Sequence, residues 1–302
     1  MKEKYYYQYK KNLKVEISEI FNRRADTFDT LPWVTNREFL GHIFKVIYEF
    51  LKNYRKDNII NRINFLDVGT GTGEVLKYFL EIYPKQGILE NAYAEGIDIS
   101  EKMLKIANKK LSPFKKLQKV TISQQSIYQQ DISKESFDFI ICRNSFHHFE
   151  LIEESLEIMS KVLRRSGIIL IIEGVAPDQH TLLLWRDVLE LKDVGRNKKV
   201  FLSYDTMRQF FLNYTKSLNL KVIGPIMLTP VPMLVSQWLN NTPFDDKDSK
   251  IEEILKIIRR LYKNNYFVER FGLKRIIKYP LEKQDFEIKK RSALIILKKM
   301  GK

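Results

Sequence analysis

Phe65-Leu66-Asp67-Val68-Gly69-Thr70-Gly71-Thr72-Gly73-Glu74 reads as a strand that runs into a glycine-rich turn and then a helix. Its apolar start, Ile63–Val68, has the length of a buried strand. Glu74–Tyr83 then repeats Val75, Leu76, Phe79, Leu80 and Ile82 at helical spacing. Glycines at such a turn allow backbone angles and a close approach that a Cβ would forbid. A dinucleotide site wants glycine at position 74, where this chain has Glu74. The acid-first order Asp-x-Gly-x-Gly-x-Gly suits a ligand with no pyrophosphate and with an ammonium group for Asp67 to hold, directly or through water. A nucleotide-binding turn of another kind and a purely structural turn are the alternatives.

Outward from that turn, apolar runs alternate with amphipathic segments. Tyr93–Ile99, Val120–Ser123, Phe137–Cys142 and Ile168–Ile172 read as strands two to five. Between them, Ser100 is placed to cap a helix carrying Met103, Leu104, Ile106, Ala107 and Leu111, and Leu151–Arg165 has a helical apolar stripe that Ser166-Gly167 ends. Strands this apolar on both faces belong in a parallel sheet covered by helices. The alternation predicts an α/β, doubly wound, mostly parallel seven-stranded Rossmann-like sheet, with Val222–Leu228 and Ala293–Leu297 as its last two strands. Helices are expected over Thr181–Val194, Tyr204–Leu218 and Ser249–Lys263. The organisation expected is a helical N-terminal lid or cap over 1–60, a core over 61–228, an inserted cap over 229–291 and a last core strand in 292–302. Ligands in such folds bind beyond the carboxyl ends of the strands, where the strand order switches.

Composition narrows the function classes. With 302 residues, 44% of them hydrophobic, the chain can bury a large core. Its N-terminus is polar and lacks the apolar stretch of a secretory signal, and no run approaches the 18 or more apolar residues of a membrane span. The single cysteine, Cys142, rules out a disulfide framework and a thiolate zinc cluster, so a cytoplasmic location and no metal are expected. The net charge of +15 is divided as +5 over residues 1–62, zero over 63–246 and +10 over 247–302. Solvated lysines on exposed helix faces account for such flanks, and a basic rim that draws in an anionic partner is the functional alternative.

Glu95-Gly96-Ile97-Asp98-Ile99-Ser100 places a carboxylate at the end of strand two, where it can accept the hydroxyls of a ribose. Together with the glycine turn, it resembles motifs I and II of the class I S-adenosylmethionine-dependent methyltransferases. Phe137–Cys142 resembles that family's fourth strand, and Leu163-Arg164-Arg165-Ser166-Gly167 its "L-x-P-G-G" turn with Arg-Ser for Pro-Gly. The resemblance covers about 60–175, and within the family it is nearest the ubiquinone/menaquinone-type small-molecule methyltransferases. It implies S-adenosyl-L-methionine as cofactor, with Asp67, Gly69, Thr70 and Gly71 around its methionine part, Asp98 on its ribose, and Ile99 and Met103 against its adenine. The family often has a Gly-Asp after strand three; Gln125-Ser126 stands there in this chain, leaving Ser126 and Ile127 to meet the adenine without a carboxylate. Asn144 would form the floor of the site, and Phe28, within Phe21–Asp29, the aromatic of a lid.

Asn144-Ser145-Phe146-His147-His148-Phe149-Glu150 is the third constellation. The quinone methyltransferases have Arg-Asn where His147-His148 stand, a departure that leaves the substrate open. Each histidine alone reads as a helix-entry imidazole bonded to backbone; as a pair they are the catalytic candidates, because an imidazole titrates near neutrality. Glu173, His180 and Trp185 follow strand five, where substrates usually sit in this fold. Trp185 and Trp238 read as packing. Trp33, Tyr204, Phe244 and Tyr266 are expected to make an aromatic cap for an apolar or planar acceptor. The expected function is methyl transfer to a small-molecule O, N or C nucleophile by in-line attack on the sulfonium methyl. RNA modification through the basic flanks and a non-catalytic cofactor-binding partner subunit are the alternatives; the first lacks an Asn/Asp-Pro-Pro-Tyr/Phe tetrapeptide after strand four.

Overall fold

The computed structural model describes residues 16–57, 62–82, 92–115, 119–129, 135–192, 197–242, 247–277 and 284–301. Residues 16–28 are helical (α1) and lead into α2 (Pro32–Thr35) and α3 (Arg37–Asp57). The first half of the sheet follows as β1 (Ile63–Val68), α4 (Glu74–Ile82), β2 (Ala92–Asp98), α5 (Glu101–Leu111), β3 (Lys119–Gln124), β4 (Phe137–Arg143), α6 (Ile152–Val162) and β5 (Leu163–Gly174). Then come α7 (Gln179–Lys192), α8 (Tyr204–Tyr214), β6 (Leu220–Met227), β7 (Val231–Leu234), α9 (Val235–Asn240), α10 (Lys247–Leu261), α11 (Asn265–Phe271), β8 (Lys274–Ile277), β9 (Gln284–Lys290) and β10 (Ser292–Lys299).

Seven strands make one sheet in the order β3-β2-β1-β4-β5-β10-β6, with β10 antiparallel to both neighbours and the first five strands parallel. The order reverses between β1 and β4, so the two chain segments leaving those strands diverge and open a crevice at their carboxyl ends. Alternate side chains of the central strands enter two separate cores. Phe65, Phe139, Ile141, Ile168, Leu170 and Ile172 meet α3 and α4 on one face. Leu66, Ile140, Cys142, Ile169 and Ile171 meet α6 and α8 on the other. Both faces being apolar is what turns these strands into uninterrupted runs of Ile, Leu and Phe. On α3, Phe39, Ile43 and Ile47 are buried, which seats that helix against the sheet.

The structure departs from sequence expectation at two places. The amphipathic segment that the 3.6-residue spacing extends to Arg165 ends as helix at Val162, and Leu163 already pairs with Phe137 as the start of β5. A register shift between Phe137 and Phe139 absorbs the irregular Arg164–Gly167 segment, in which Ser166 takes a positive φ of 61°. Second, the stretch after Leu228 contains strands as well as helices. β7, β9 and β8 form a three-stranded antiparallel sheet, and α9, α10 and α11 pack around it. Phe286 and Ile288 turn inward from β9 while Lys289 between Ile288 and Lys290 is exposed. Trp185 on α7 holds this layer down through Trp238 (centroids 5.8 Å apart) and Phe271 (4.7 Å). Among the described residues, no helix is long and apolar enough to cross a membrane.

Candidate functional site

Gly69 and Gly71 take positive φ of 73° and 54°, so the chain leaving β1 turns with its N–H groups inward: Gly69 N and Thr70 N both donate to Ile97 O, at 2.9 and 3.0 Å. A Cβ on Gly69 would lie 2.5 Å from Ser145 Cβ, so the segment after β4 closes directly over the turn. Ser145 Oγ donates to Val68 O at 2.9 Å and lies 3.0 Å from Cys142 Sγ, which locks β4's exit to β1's. Gly71 N donates to Asp98 Oδ2 (2.8 Å) and Ser100 N to Asp98 Oδ1 (2.9 Å). Ser100 Oγ in turn accepts from Met103 N and caps α5. The carboxylate of Asp98 thus ties the ends of β1 and β2 together. Of its roughly four acceptor positions, capacity remains for a ligand hydroxyl.

These residues open onto one cavity of about 640 Å³ at the carboxyl ends of β1, β2, β3 and β4. Asp67, Gly69, Thr70, Gly71, Asp98, Ile99, Met103, Ser126, Ile127, Asn144 and His148 all line it, and Gln125 joins them. Asp67 is fully buried and accepts from Thr70 Oγ1 at 2.7 Å. Burial pushes its carboxyl up to about 7, against the pull of Thr70 and Arg143. Burial also raises Asp98, against backbone N–H groups that favour its charged form.

Arg143, the last residue of β4, is a cavity residue that the strand reading stopped short of. Its Nη2 donates to the carbonyls of Trp33 and Val34, the latter at 3.1 Å, and its guanidinium lies over Phe39. Burial draws it down to about 10, partly offset by Asp67 and Glu74. Its Nε is buried with no hydrogen-bond partner. A lone cation after six fully buried residues was the available signal, because charge at a strand end is where this fold keeps its chemistry.

α1 and the turn after it close the front. Phe28 lies 3.9 Å from where a Gly71 Cβ would be, and Phe21 meets His148 edge-on at 5.1 Å. Ser18 donates to Ile99 O, and Asn22 accepts from Ser100 Oγ and Lys102 N. Arg24 Nε donates to Asn241 just beyond α9, while Asn241 Nδ2 donates to Thr27. The N-terminal helix is therefore anchored on the sheet side and on the added layer at once.

A second cavity, about 130 Å³, adjoins the first and shares Phe21, Phe28, Trp33, Asn144 and His148 with it. His147 lines this one only. Its Nδ1 is 2.6 Å from Glu173 Oε2, and Glu173 is 1% exposed. An Nδ1 facing a carboxylate carries the hydrogen, which leaves Nε2 as the proton acceptor. Asn144 has a positive φ of 51°; its N–H donates to Ile172 O and its Oδ1 accepts from Lys290. Of the expected aromatic cap, Trp33 lines both cavities. Tyr204 instead donates to Pro225 O, Tyr266 is exposed and bonded to Asp178, and Phe244 lies outside the described residues. Trp185, Trp238 and Phe271 take that place in the second cavity. His180 is exposed and rests on Tyr266, away from both cavities. Among the described residues, no group of three or more His, Cys, Asp or Glu side chains is placed to hold a metal ion.

Comparison with known proteins agrees with this geometry. Residues 66–171 match the methyltransferase domain family model. An uncharacterized protein of Rickettsia prowazekii is 33% identical over 146 residues, 48% of this chain and 54% of that protein. The ubiquinone/menaquinone biosynthesis C-methyltransferase of Wigglesworthia glossinidia brevipalpis is 28% identical over 169 residues, 56% of this chain and 62% of that enzyme. The chain thus spans between about half and two thirds of the length of these relatives. The crystal structure of the YcgJ protein of Bacillus subtilis superposes with a TM-score of 0.61 at 18% identity, over 84% of this chain and all of that one, which shows a shared fold. The acid-first glycine turn, the 3-2-1-4-5-7-6 type of strand order and the methyltransferase domain match over residues 66–171 support a class I S-adenosylmethionine-dependent methyltransferase.

Proposed function

We propose that the chain transfers the methyl group of S-adenosylmethionine to a small-molecule acceptor seated in the second cavity. The observation that carries this reading is the larger cavity, with Asp67 at one end of the glycine turn and Asp98 at the other. The residues fit that cofactor: Gly71 borders space that a Cβ would occupy, Gly69 lets Ser145 close over the turn, Asp67 faces an ammonium, and the unpartnered Arg143 Nε suits a carboxylate. When bound, the cofactor supplies a sulfonium methyl that needs alignment and exclusion of water more than activation. In this reading Asp98 holds the ribose, Ile99 and Met103 pack on the adenine with Ser126 and Ile127 at its edge, and Phe28 and Phe21 keep water out. The described parts of segments 1–60 and 229–291 act as caps around a core drawn from the described parts of 61–228 and 292–302. Titration of the chain with S-adenosylmethionine tests the proposal, and absence of binding ends it.

Asp67 makes that binding depend on pH. Its carboxyl holds a proton up to about 7 in the free chain, and a ligand ammonium favours the ionised form. Binding at pH 6 is expected to release close to one proton, and affinity to fall up to tenfold per unit as pH drops below about 7. Calorimetry in two buffers of different ionisation enthalpy reads the release. Asp67→Asn should flatten the profile; an unchanged profile in that variant would show that Asp67 is not the group.

His147 acts in this reading as the base for an acceptor that must lose a proton, with Glu173 as its positioning residue. Glu173→Gln keeps the shape but not the charge behind Nδ1. With an acceptor found by label transfer, kcat is expected to fall 10²–10⁴-fold with KM near its original value and the acid limb of the pH–rate profile displaced. A loss confined to KM would assign Glu173 a binding role instead.

A further inference from the structure

We propose that the second cavity selects a ring-sized, apolar acceptor that carries an anionic group, with Arg291 and Lys192 supplying its counter-charge. This rests on the methyl-transfer reading above and adds the acceptor's chemical class to it. Three observations carry it.

The first is size and lining. A dry apolar cavity of about 150 Å³ is large enough for benzene, and this one measures about 130 Å³. Trp33, Trp185, Trp238 and Phe271 form its apolar walls, and flat aromatic walls suit a flat ligand. Asn144 and His148, shared with the larger cavity, mark the side on which a seated ring would meet the methyl donor.

The second is the division of charge between the cavities. Among the described residues, the larger one is lined by Asp67, Glu74, Asp98, Glu150 and Glu154 with Arg143 as the one Lys or Arg, which favours a cationic ligand. Among the described residues, the smaller one is lined by Arg24, Lys192, Lys290 and Arg291 and by a single carboxylate, Glu173, which is joined to His147. Lys192 is 6% exposed, with Nζ 4.9 Å from the centre of the Trp238 ring. Lys290 lies 5.0 Å over Trp33. Cationic side chains placed against aromatic faces thus line this small space.

The third is an orphaned donor. Arg291 Nη1 is buried with no hydrogen-bond partner. Burial and the nearby Arg270 both hold this guanidinium below the usual arginine range. A buried guanidinium nitrogen without an acceptor is costly, and an anionic oxygen in the cavity would satisfy it with a charge-assisted bond.

All three tryptophans of the chain line this cavity, so intrinsic fluorescence reports its occupancy. Benzoate, phenyl phosphate, benzamide and benzylamine are titrated into the full chain with and without S-adenosylhomocysteine. Benzoate, phenyl phosphate or both are expected to bind at least tenfold more tightly than benzamide, and benzylamine less tightly than either; which of the two anions wins separates a carboxylate from a phosphate ester. Arg291→Gln should remove most of that preference while S-adenosylhomocysteine affinity stays within twofold. Lys192→Met should reduce it independently, should Arg291→Gln not fold. Equal affinity for benzamide, no response to any probe up to millimolar concentration, or a preference intact in both variants would overturn the proposal. Anion preference in a chain that fails to bind S-adenosylhomocysteine would support the anion subsite and remove the methyl-transfer reading.

Discussion

Asp98→Ala is expected to weaken S-adenosylhomocysteine binding about 100-fold, the largest effect of any single side chain at the site. A hydrogen bond from a ribose hydroxyl to an ionised carboxylate contributes about 1.5–3 kcal/mol, and each 1.4 kcal/mol is about tenfold in affinity. The carboxylate has a second task. It receives Gly71 N and Ser100 N, so its loss frees the glycine turn as well as the ligand contact. Asp98→Asn keeps one acceptor oxygen in nearly the same place and should lose only about tenfold. Calorimetry gives both affinities, and a thermal melt of each variant separates a binding defect from unfolding. Affinity unchanged in the alanine variant would mean that the ligand is held elsewhere.

Gly69→Ala should have the largest effect on stability, about 2–5 kcal/mol, in two parts. A left-handed φ disfavours a residue with a Cβ by about 1–2 kcal/mol, and overpacking adds about 1–3 kcal/mol. The added methyl would meet Ser145 Cβ at 2.5 Å and Oγ at 2.8 Å. Ser145 cannot step aside cheaply, since its hydroxyl is bonded to Val68 O and it lies two residues beyond the end of β4, whose register fixes it. The double variant Gly69→Ala/Ser145→Gly removes the clash and leaves the φ penalty, so it should recover roughly half of the loss. Urea unfolding midpoints measure each step. A single variant within about 0.5 kcal/mol of the parent chain would show that the two segments are not in contact.

Much of this architecture is legible in the linear chain because of how the sheet is buried. A strand covered on both faces has to be apolar at every position, and Ile168–Ile172 or Phe139–Cys142 can be little else. The glycine turn and Asp98 are legible for a related reason. Each performs its task within a few residues of a strand end, so the requirement is written locally. Local pattern misleads where two elements share a stripe. The helical spacing of Val162 and Leu163 continues α6 on paper, whereas Leu163 is taken by Phe137 across the sheet. β7 and β8 have only four residues each, and in β9 the inward pair Phe286 and Ile288 is a weak signal among Asp285, Glu287, Lys289 and Lys290.

By itself the sequence determined the order of the seven strands of the main sheet and the helices between its first five, the glycine turn and the acid of β2, since short-range geometry and burial dictate those residue types. The tertiary structure alone decided which distant side chains meet. His147 finds Glu173 from 26 positions away because β4 and β5 are neighbours in register, and Arg143 reaches the carbonyls of Trp33 and Val34 from the far side of the crevice. The smaller cavity, drawn from α1, α2, α7, β9 and the segments beyond β4 and β5, has no trace in any one stretch. A pocket is a property of how surfaces come together, and burial patterning along a chain records that a residue is covered without recording by what.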